Sequence, residues 1–159
     1  MVKIKPFRGI RPVKELADKI AAPPYDVINF EEARRLAADN PYSFLHVSRA
    51  EIDLPPEINP YDDKVYQKAR ENLDAMLAKG WLFQDATEML YIYRQIMDKH
   101  SQYGLITTAN VNDYLKGKIK IHELTRQDKE LDRTKHLEYT KVNTGPVFLT
   151  YQAKPVIDI

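Results

Sequence analysis

The stretch MLYIYRQIMDKHSQYGLITTANV, residues 89 to 111, decides the fold predicted for this chain. Residues 89–97 and 103–111 are rich in aromatic and β-branched side chains, which favour strands, and the polar residues 98–101 between them are typical of a turn. This pattern predicts a β-hairpin. We expect an α+β domain with a mixed or antiparallel sheet, the hairpin at its centre, and helices packed mainly on one face.

One long helix is predicted to cover that face. Between Asp62 and Lys79 apolar residues recur at helical spacing, and Gly80 stands where a helix commonly ends. A second helix is predicted over Phe30 to Asp39, because Asn29 and Glu32 have the spacing of a capping box. A shorter helix is predicted from Val13 to Ile20.

Alternating side chains predict further strands at residues 2–7 and 43–49, and residues 147–151 are another strand candidate. Another strand is predicted to begin near Pro155, and the apolar end of the sequence predicts that residues 1–159 form one domain at the N-terminus of a longer protein. We expect residues 147–159 to pair within the domain or to be covered by a neighbouring chain. The predicted core comprises Leu45, Val47, Leu73, Leu77, Leu90, Ile92, Leu105, Ile106 and Phe148.

Composition narrows the class of protein. The net charge is +1 although 30% of the residues are charged, so the overall charge gives no reason to expect tight binding to nucleic acid or membrane. The chain has no cysteine, which excludes disulfides and thiolate metal sites and favours a reducing cytoplasm. We find neither a signal peptide nor an apolar run long enough to span a membrane.

Motif searches exclude several kinds of active site. The five glycines are too scattered for a P-loop or a dinucleotide-binding turn. His122-Glu123 begins like the zinc-protease motif H-E-x-x-H, but position 126 is arginine, so we predict no metal site.

The segment from Ile121 to Pro146 holds most of the candidate functional residues. On a continuous helix, the side chains of five basic residues fall within an arc of about 80°: His122, Arg126, Lys129, Arg133 and His136. Alternatively, Thr125 with Asp128 caps a helix that begins later, leaving His122 and Glu123 in the preceding loop. Both geometries predict a phosphate-accepting rim, with Glu123 or His122 available for proton transfer. A solvated helix with ordinary i,i+4 ion pairs would show the same residues.

The chain resembles the N-terminal part of the domain of unknown function 1015 family, which is loosely labelled ParB-like. The resemblance rests on the blocks KIKPFRGIRP, AAPPYDVI, NPYSFLHVSRAEIDLP, YIYRQ, HELTRQDKELDRTKH and NTGPVFLTY, in that order. Relatives of the family include kinases built on the ParB and sulfiredoxin fold. The resemblance therefore implies a nucleotide-dependent phosphotransferase of the small-molecule or amino-acid kinase type, which uses ATP or ADP with Mg in the full-length protein.

In this interpretation, Glu123, His122 and Asp26 are the candidate catalytic residues. The anion-binding set is Arg126, Lys129, Arg133, His136 and Tyr25, with Tyr25 and Asp26 in a loop that faces the helix. The glycine-histidine turn that binds phosphate in the related kinases is expected beyond Ile159. We therefore expect the isolated chain to be catalytically incomplete and to bind ATP or ADP with a Kd above about 1 mM.

A second interpretation is a non-enzymatic module of the ParB partition or regulatory type, in which the same basic residues contact DNA or a protein. The partners predicted across the two interpretations are a small anionic or phosphorylated ligand, DNA, and the missing C-terminal region or a second chain. No interaction with a membrane is expected.

Overall fold

The computed structural model describes residues 2–122 and 124–152 of the chain, and it confirms an α+β fold with short antiparallel sheets. The helices are α1 (Ala17–Ile20), α2 (Phe30–Ala37), α3 (Leu45–Ser48), α4 (Asp63–Ala78), α5 (Val111–Leu115) and α6 (Gln127–Thr140), and 3₁₀ turns cover Lys14–Leu16 and Ala50–Asp53. The strands are β1 (Ile4–Lys5), β2 (Ile10–Pro12), β3 (Leu82–Gln84), β4 (Tyr91–Met97), β5 (His100–Ile106) and β6 (Thr108–Ala109).

The strands form three separate two-stranded ribbons within the described residues, not the single sheet that we expected. β1 pairs with β6, β2 with β3, and β4 with β5, all antiparallel. The hairpin of β4 and β5 is therefore confirmed as a hairpin, although its turn holds only Asp98 and Lys99, with Asp98 at a φ of 54°.

The prediction that this hairpin is central and buried is wrong. Ile92 is 80% exposed, and Leu90 and Leu105 are also exposed, as is the predicted core residue Phe148 at 71%. Strand propensity indicates that residues will pair, but it does not specify which face another element covers. Ile106 is half-buried at the base of the ribbon, close to the body of the domain.

The core lies along α4 instead. Leu73 and Met76 of α4 pack with Val47, Ile20 and Leu82 in one buried cluster, and Leu77 packs against it from a half-buried position. A second cluster joins α2 to the region of α3 through Ala33, Ala37, Leu45 and Ile52. Leu45, Val47 and Leu73 are thus buried as predicted, and α4 is the element around which the domain is built.

Two predicted strands are absent from the described residues. Residues 43–49 form α3 with a short lead-in, because the Ser43 hydroxyl accepts a hydrogen bond from the Leu45 N–H at 3.3 Å, a local contact that favours a helical turn. Residues 147–151 carry no strand, and Val147 is exposed. The strand predicted near Pro155 lies outside the described residues.

Local signals placed α1, α2 and α4 well. Asn29 and Glu32 form both hydrogen bonds of a capping box at the start of α2, each at 2.9 Å. α4 begins after Asp62 and ends before Gly80, whose φ of 68° is the left-handed conformation that favours glycine. The predicted helix at residues 13–20 is present as a 3₁₀ turn followed by α1.

A compact hydrogen-bonded cluster fixes the N-terminal segment to the base of the hairpin. The buried Asp85 carboxylate accepts hydrogen bonds from Arg11 at 2.6 and 2.8 Å and from the Tyr91 hydroxyl at 2.6 Å. The hydrogen bonds from Arg11, followed by that from Tyr91, lower the pKa of Asp85 to about 2. The Gly9 N–H donates to the same Tyr91 hydroxyl at 2.7 Å, and a Cβ at Gly9 would lie 2.7 Å from that oxygen.

None of the helices in the described ranges combines the length and the apolar character that crossing a membrane requires.

Candidate functional site

Helix α6 begins later than the continuous basic stripe requires. Its first residue is Gln127, and Arg126 occupies the N-cap position with an extended backbone and no side-chain cap. The stripe running from His122 to His136 on one helix is therefore wrong. The alternative geometry correctly places His122 in the preceding loop, but the predicted cap by Thr125 is also wrong.

The structure separates the predicted site residues into two groups. Arg126 is 75% exposed and forms a two-point ion pair with Asp128 at 2.7 and 3.1 Å, which turns its guanidinium toward its own helix end. His122 and Asp26 are exposed. Glu123 lies outside the described residues. Tyr25, Lys129, Arg133 and His136, in contrast, meet at one cleft.

This cleft forms where α6 packs against α4, with a volume of about 200 Å³. We call it the Arg133 cleft, and its side-chain lining includes Tyr25, Arg49, Glu51, Tyr61, Tyr66, Lys129, Asp132, Arg133 and His136. Four parts of the chain supply these residues: the loop before α2, the segment between α3 and α4, helix α4 and helix α6.

Arg133 is the most unusual residue in the cleft. Its Nε and Nη2 atoms donate to Asp132 Oδ2 at 2.9 and 2.7 Å, and its guanidinium lies 3.9 Å from the centre of the Tyr25 ring. The remaining nitrogen, Nη1, is buried and has no hydrogen-bond partner among the described residues. A buried donor without an acceptor costs about 1–3 kcal/mol, so this atom is suited to an acceptor supplied by a ligand.

Arg49 holds the other side of Tyr25. Its Nη1 donates to the Tyr25 carbonyl oxygen at 3.0 Å, while its Nε lies 2.8 Å from a carboxylate oxygen of Glu51. That Nε is buried, and its orientation toward Glu51 does not give a hydrogen bond. The two arginines therefore fix the loop at Tyr25 through its backbone and its ring.

Two carboxylates share the cleft with these arginines. Glu51 is only 7% exposed, and burial raises its pKa although the Arg49 charge opposes the change. Asp132 is also buried, and its second oxygen accepts a hydrogen bond from the Tyr66 hydroxyl at 2.8 Å. Burial, together with the hydrogen bond to Asp132, raises the pKa of Tyr66, so this hydroxyl remains a donor at any physiological pH.

His136 lies at the bottom of the cleft as a neutral ring. Burial lowers the pKa of His136, and its Nε2 lies 3.0 Å from the Val47 carbonyl oxygen, to which it donates. At neutral pH this histidine supplies a hydrogen bond to the wall but no positive charge.

Lys129 supplies the remaining charge. It is half-buried, and within residues 2–122 and 124–152 it has no carboxylate partner. Arg49, Lys129 and Arg133 therefore face Glu51 and Asp132, which leaves one net positive charge in the cleft. A cleft of this charge and size is suited to a small anion. Across the described ranges, no group of three or more histidine, aspartate or glutamate residues is placed to hold a metal ion.

Sequence reasoning missed several polar residues of the cleft, among them Arg49, Glu51, Tyr66 and Asp132. Arg49 and Glu51 lie within the block NPYSFLHVSRAEIDLP, where two opposite charges interrupt an apolar run, and this was the available signal. Tyr66 and Asp132 meet only because α4 and α6 pack together. No local spacing indicates that contact.

Comparison with known proteins supplies the family. A profile described as "Protein of unknown function (DUF1015)" matches residues 4–159, nearly the whole chain. None of the curated proteins matches, and none of the solved structures does. The matched family has no assigned function, so the ParB-like label remains a prediction. The extent of the match shows that this chain belongs to the DUF1015 family.

Proposed function

We propose that the Arg133 cleft binds the oxyanion group of a small molecule. The observation that carries this proposal is Arg133, which lines a cleft with one net positive charge and whose buried Nη1 has no acceptor among the described residues. Arginine and lysine recognise carboxylate and phosphate oxygens through charge-assisted hydrogen bonds, which are stronger than those between neutral groups. An oxygen of a bound oxyanion would accept a hydrogen bond from Arg133 Nη1, and its negative charge would offset the charge of Lys129.

Arg133 is held rigidly by its neighbours, which favours its role in binding an oxyanion. Asp132 fixes Arg133 from one side and the Tyr25 ring covers it from another, so the guanidinium has little freedom to lose when a ligand binds. Asp132 is itself held by Tyr66 on α4. Such a supporting shell is typical of binding sites in which side-chain geometry determines affinity.

At the level of the reaction, we propose a nucleotide-dependent phosphotransferase in the full-length protein, with ATP or ADP and Mg as cosubstrate. Family resemblance and a cleft suited to an oxyanion support this proposal. The proposed site also includes Asp26, which neighbours Tyr25, and the loop at His122 and Glu123, which precedes α6. A cysteine-free chain fits a cytoplasmic enzyme.

The alternative, a DNA- or protein-binding module, has less support. Three basic residues in and next to α6 are paired with carboxylates: Arg126 with Asp128, Arg133 with Asp132, and Lys135 with Asp63. Proteins that bind DNA through its backbone rely on several cations free to contact phosphates. The pairing leaves less positive charge available on this helix for that purpose.

Titration calorimetry of the 159-residue chain with inorganic phosphate and with acetate tests the proposal. We expect at least one of these oxyanions to bind with a Kd on the order of 1 mM, as befits a few non-hydrogen atoms. Arg133→Met should weaken that binding at least tenfold. Arg126→Met removes the same charge outside the cleft and should leave the Kd unchanged. The proposal is wrong if neither oxyanion binds, or if both variants behave alike.

A further inference from the structure

We infer that the Arg133 cleft accepts a small carboxylic acid with a single negative charge, and not a nucleotide. The inference rests on the proposed function, since it assumes that an oxyanion binds in this cleft. In a phosphotransferase, the cleft would then be the subsite for the small acid, and the nucleotide would bind elsewhere.

Volume is the first argument. The space within the cleft is about 200 Å³. A cavity of about 150 Å³ holds benzene, whereas sites for drug-sized ligands span about 300–1,000 Å³. The Arg133 cleft therefore has room for a ligand slightly larger than benzene. A nucleoside triphosphate, with a base, a sugar and three phosphates, does not fit within that volume.

Charge is the second argument. The two buried carboxylates of Glu51 and Asp132 offset two of the three cations, so the cleft balances one negative charge. Adding a dianion or a triphosphate would leave uncompensated negative charge beside buried carboxylates, and like charges in a poorly solvated site repel strongly. The charge of the site matches a monoanion.

The remaining donors support the same ligand class. Asp132 occupies the Nε and Nη2 edge of Arg133, so the usual two-point edge for a phosphate is taken, and Nη1 is left. Lys129 stands four residues earlier on α6, on the same face of the helix. Nη1 and the Lys129 ammonium are therefore the cationic donors of α6 that are left for the oxygens of a carboxylate.

A ligand panel measured on the full 159-residue chain tests this inference. Titration calorimetry would use acetate, pyruvate and benzoate as monoanions of increasing size, citrate as a trianion, and inorganic phosphate and ATP. We expect at least one monocarboxylate to bind with a Kd on the order of 1 mM. Citrate and ATP should bind at least tenfold more weakly, and ATP should not displace the bound acid.

Variants assign the binding to the cleft. Lys129→Met and Arg133→Met should each weaken the acid at least tenfold, with Arg126→Met as the charge-matched control on the exposed side. If Arg133→Met does not fold, as judged by circular dichroism, Arg133→Lys keeps the charge but loses the planar donor and should still weaken binding.

The possible outcomes separate the two proposals. If phosphate or ATP binds more tightly than every carboxylate, and if that binding depends on Arg133, the inference is overturned but the proposed binding of an oxyanion is preserved. If no oxyanion binds, or if the acid binds to the Lys129 and Arg133 variants as tightly as to the wild type, both proposals are wrong.

Discussion

Removing one hydroxyl tests whether the contact between α4 and α6 supports the cleft. Tyr66→Phe keeps the ring, which is fully buried and lies 5.7 Å from the Tyr139 ring, but it deletes the 2.8 Å hydrogen bond to Asp132. Hydrogen bonds to charged groups contribute about 1.5–3 kcal/mol. Asp132 keeps two hydrogen bonds from Arg133, so we expect a loss of about 1.5–2 kcal/mol, in the lower part of that range.

Equilibrium unfolding in urea at pH 7 measures this loss as a lower transition midpoint with an unchanged dependence on denaturant. Tyr61→Phe is the matched control, because Tyr61 lines the same cleft but its hydroxyl has no hydrogen-bond partner among the described residues. Surface changes of that kind stay within about 0.5 kcal/mol. A loss below about 0.5 kcal/mol for Tyr66→Phe, or an equal loss for both variants, would refute the role assigned to this hydrogen bond.

Three further predictions concern stability. Leu73→Ala should cost about 2–4 kcal/mol in urea unfolding, because Leu73 is buried in the cluster along α4, and a loss below about half a kcal/mol would show that this helix face is not packed. Gly9→Ala should cost roughly 1–3 kcal/mol, since the added methyl group would meet the Tyr91 hydroxyl, and unchanged stability would contradict this. The pKa of Asp85 is lowered to about 2 in the folded protein, against a value near 3.9 in the unfolded chain. The ionised carboxylate therefore contributes fully to stability above about pH 3.9, and this contribution is lost as the pH falls toward 2. The stability difference between wild type and Asp85→Asn should shrink over that pH range, and a constant difference would exclude this linkage.

Local chemistry explains which elements were predictable from the sequence. The capping box of Asn29 and Glu32 and the positive φ at Gly80 depend on neighbours within a few residues, so the ends of α2 and α4 follow from the sequence. Residues 43–49 were assigned to a strand because apolar and polar residues alternate there. Over seven residues that pattern does not separate a strand from a helical turn that buries both Leu45 and Val47.

The candidate site was predictable only in part, because most of its contacts join distant parts of the chain. The basic residues of α6 and the loop at Tyr25 were identified, and the structure brings Tyr25, Lys129 and Arg133 together. Asp132 and Glu51 were not identified, since their role depends on burial. In the sequence they are two of many acidic residues.

The pairing of the N-terminal strands determines when the first residues of this chain are able to fold during synthesis. Ile4 pairs with Ala109, and Arg11 pairs with Phe83. At a synthesis rate of about 5–20 residues per second, roughly 5–20 s separate the appearance of Ile4 from that of its partner. The first dozen residues therefore leave the ribosome without their strand partners, while α2 forms early from nearby contacts. We expect the nascent chain to gain its helices first and to become protease-resistant at its N-terminus only after α5 has been made.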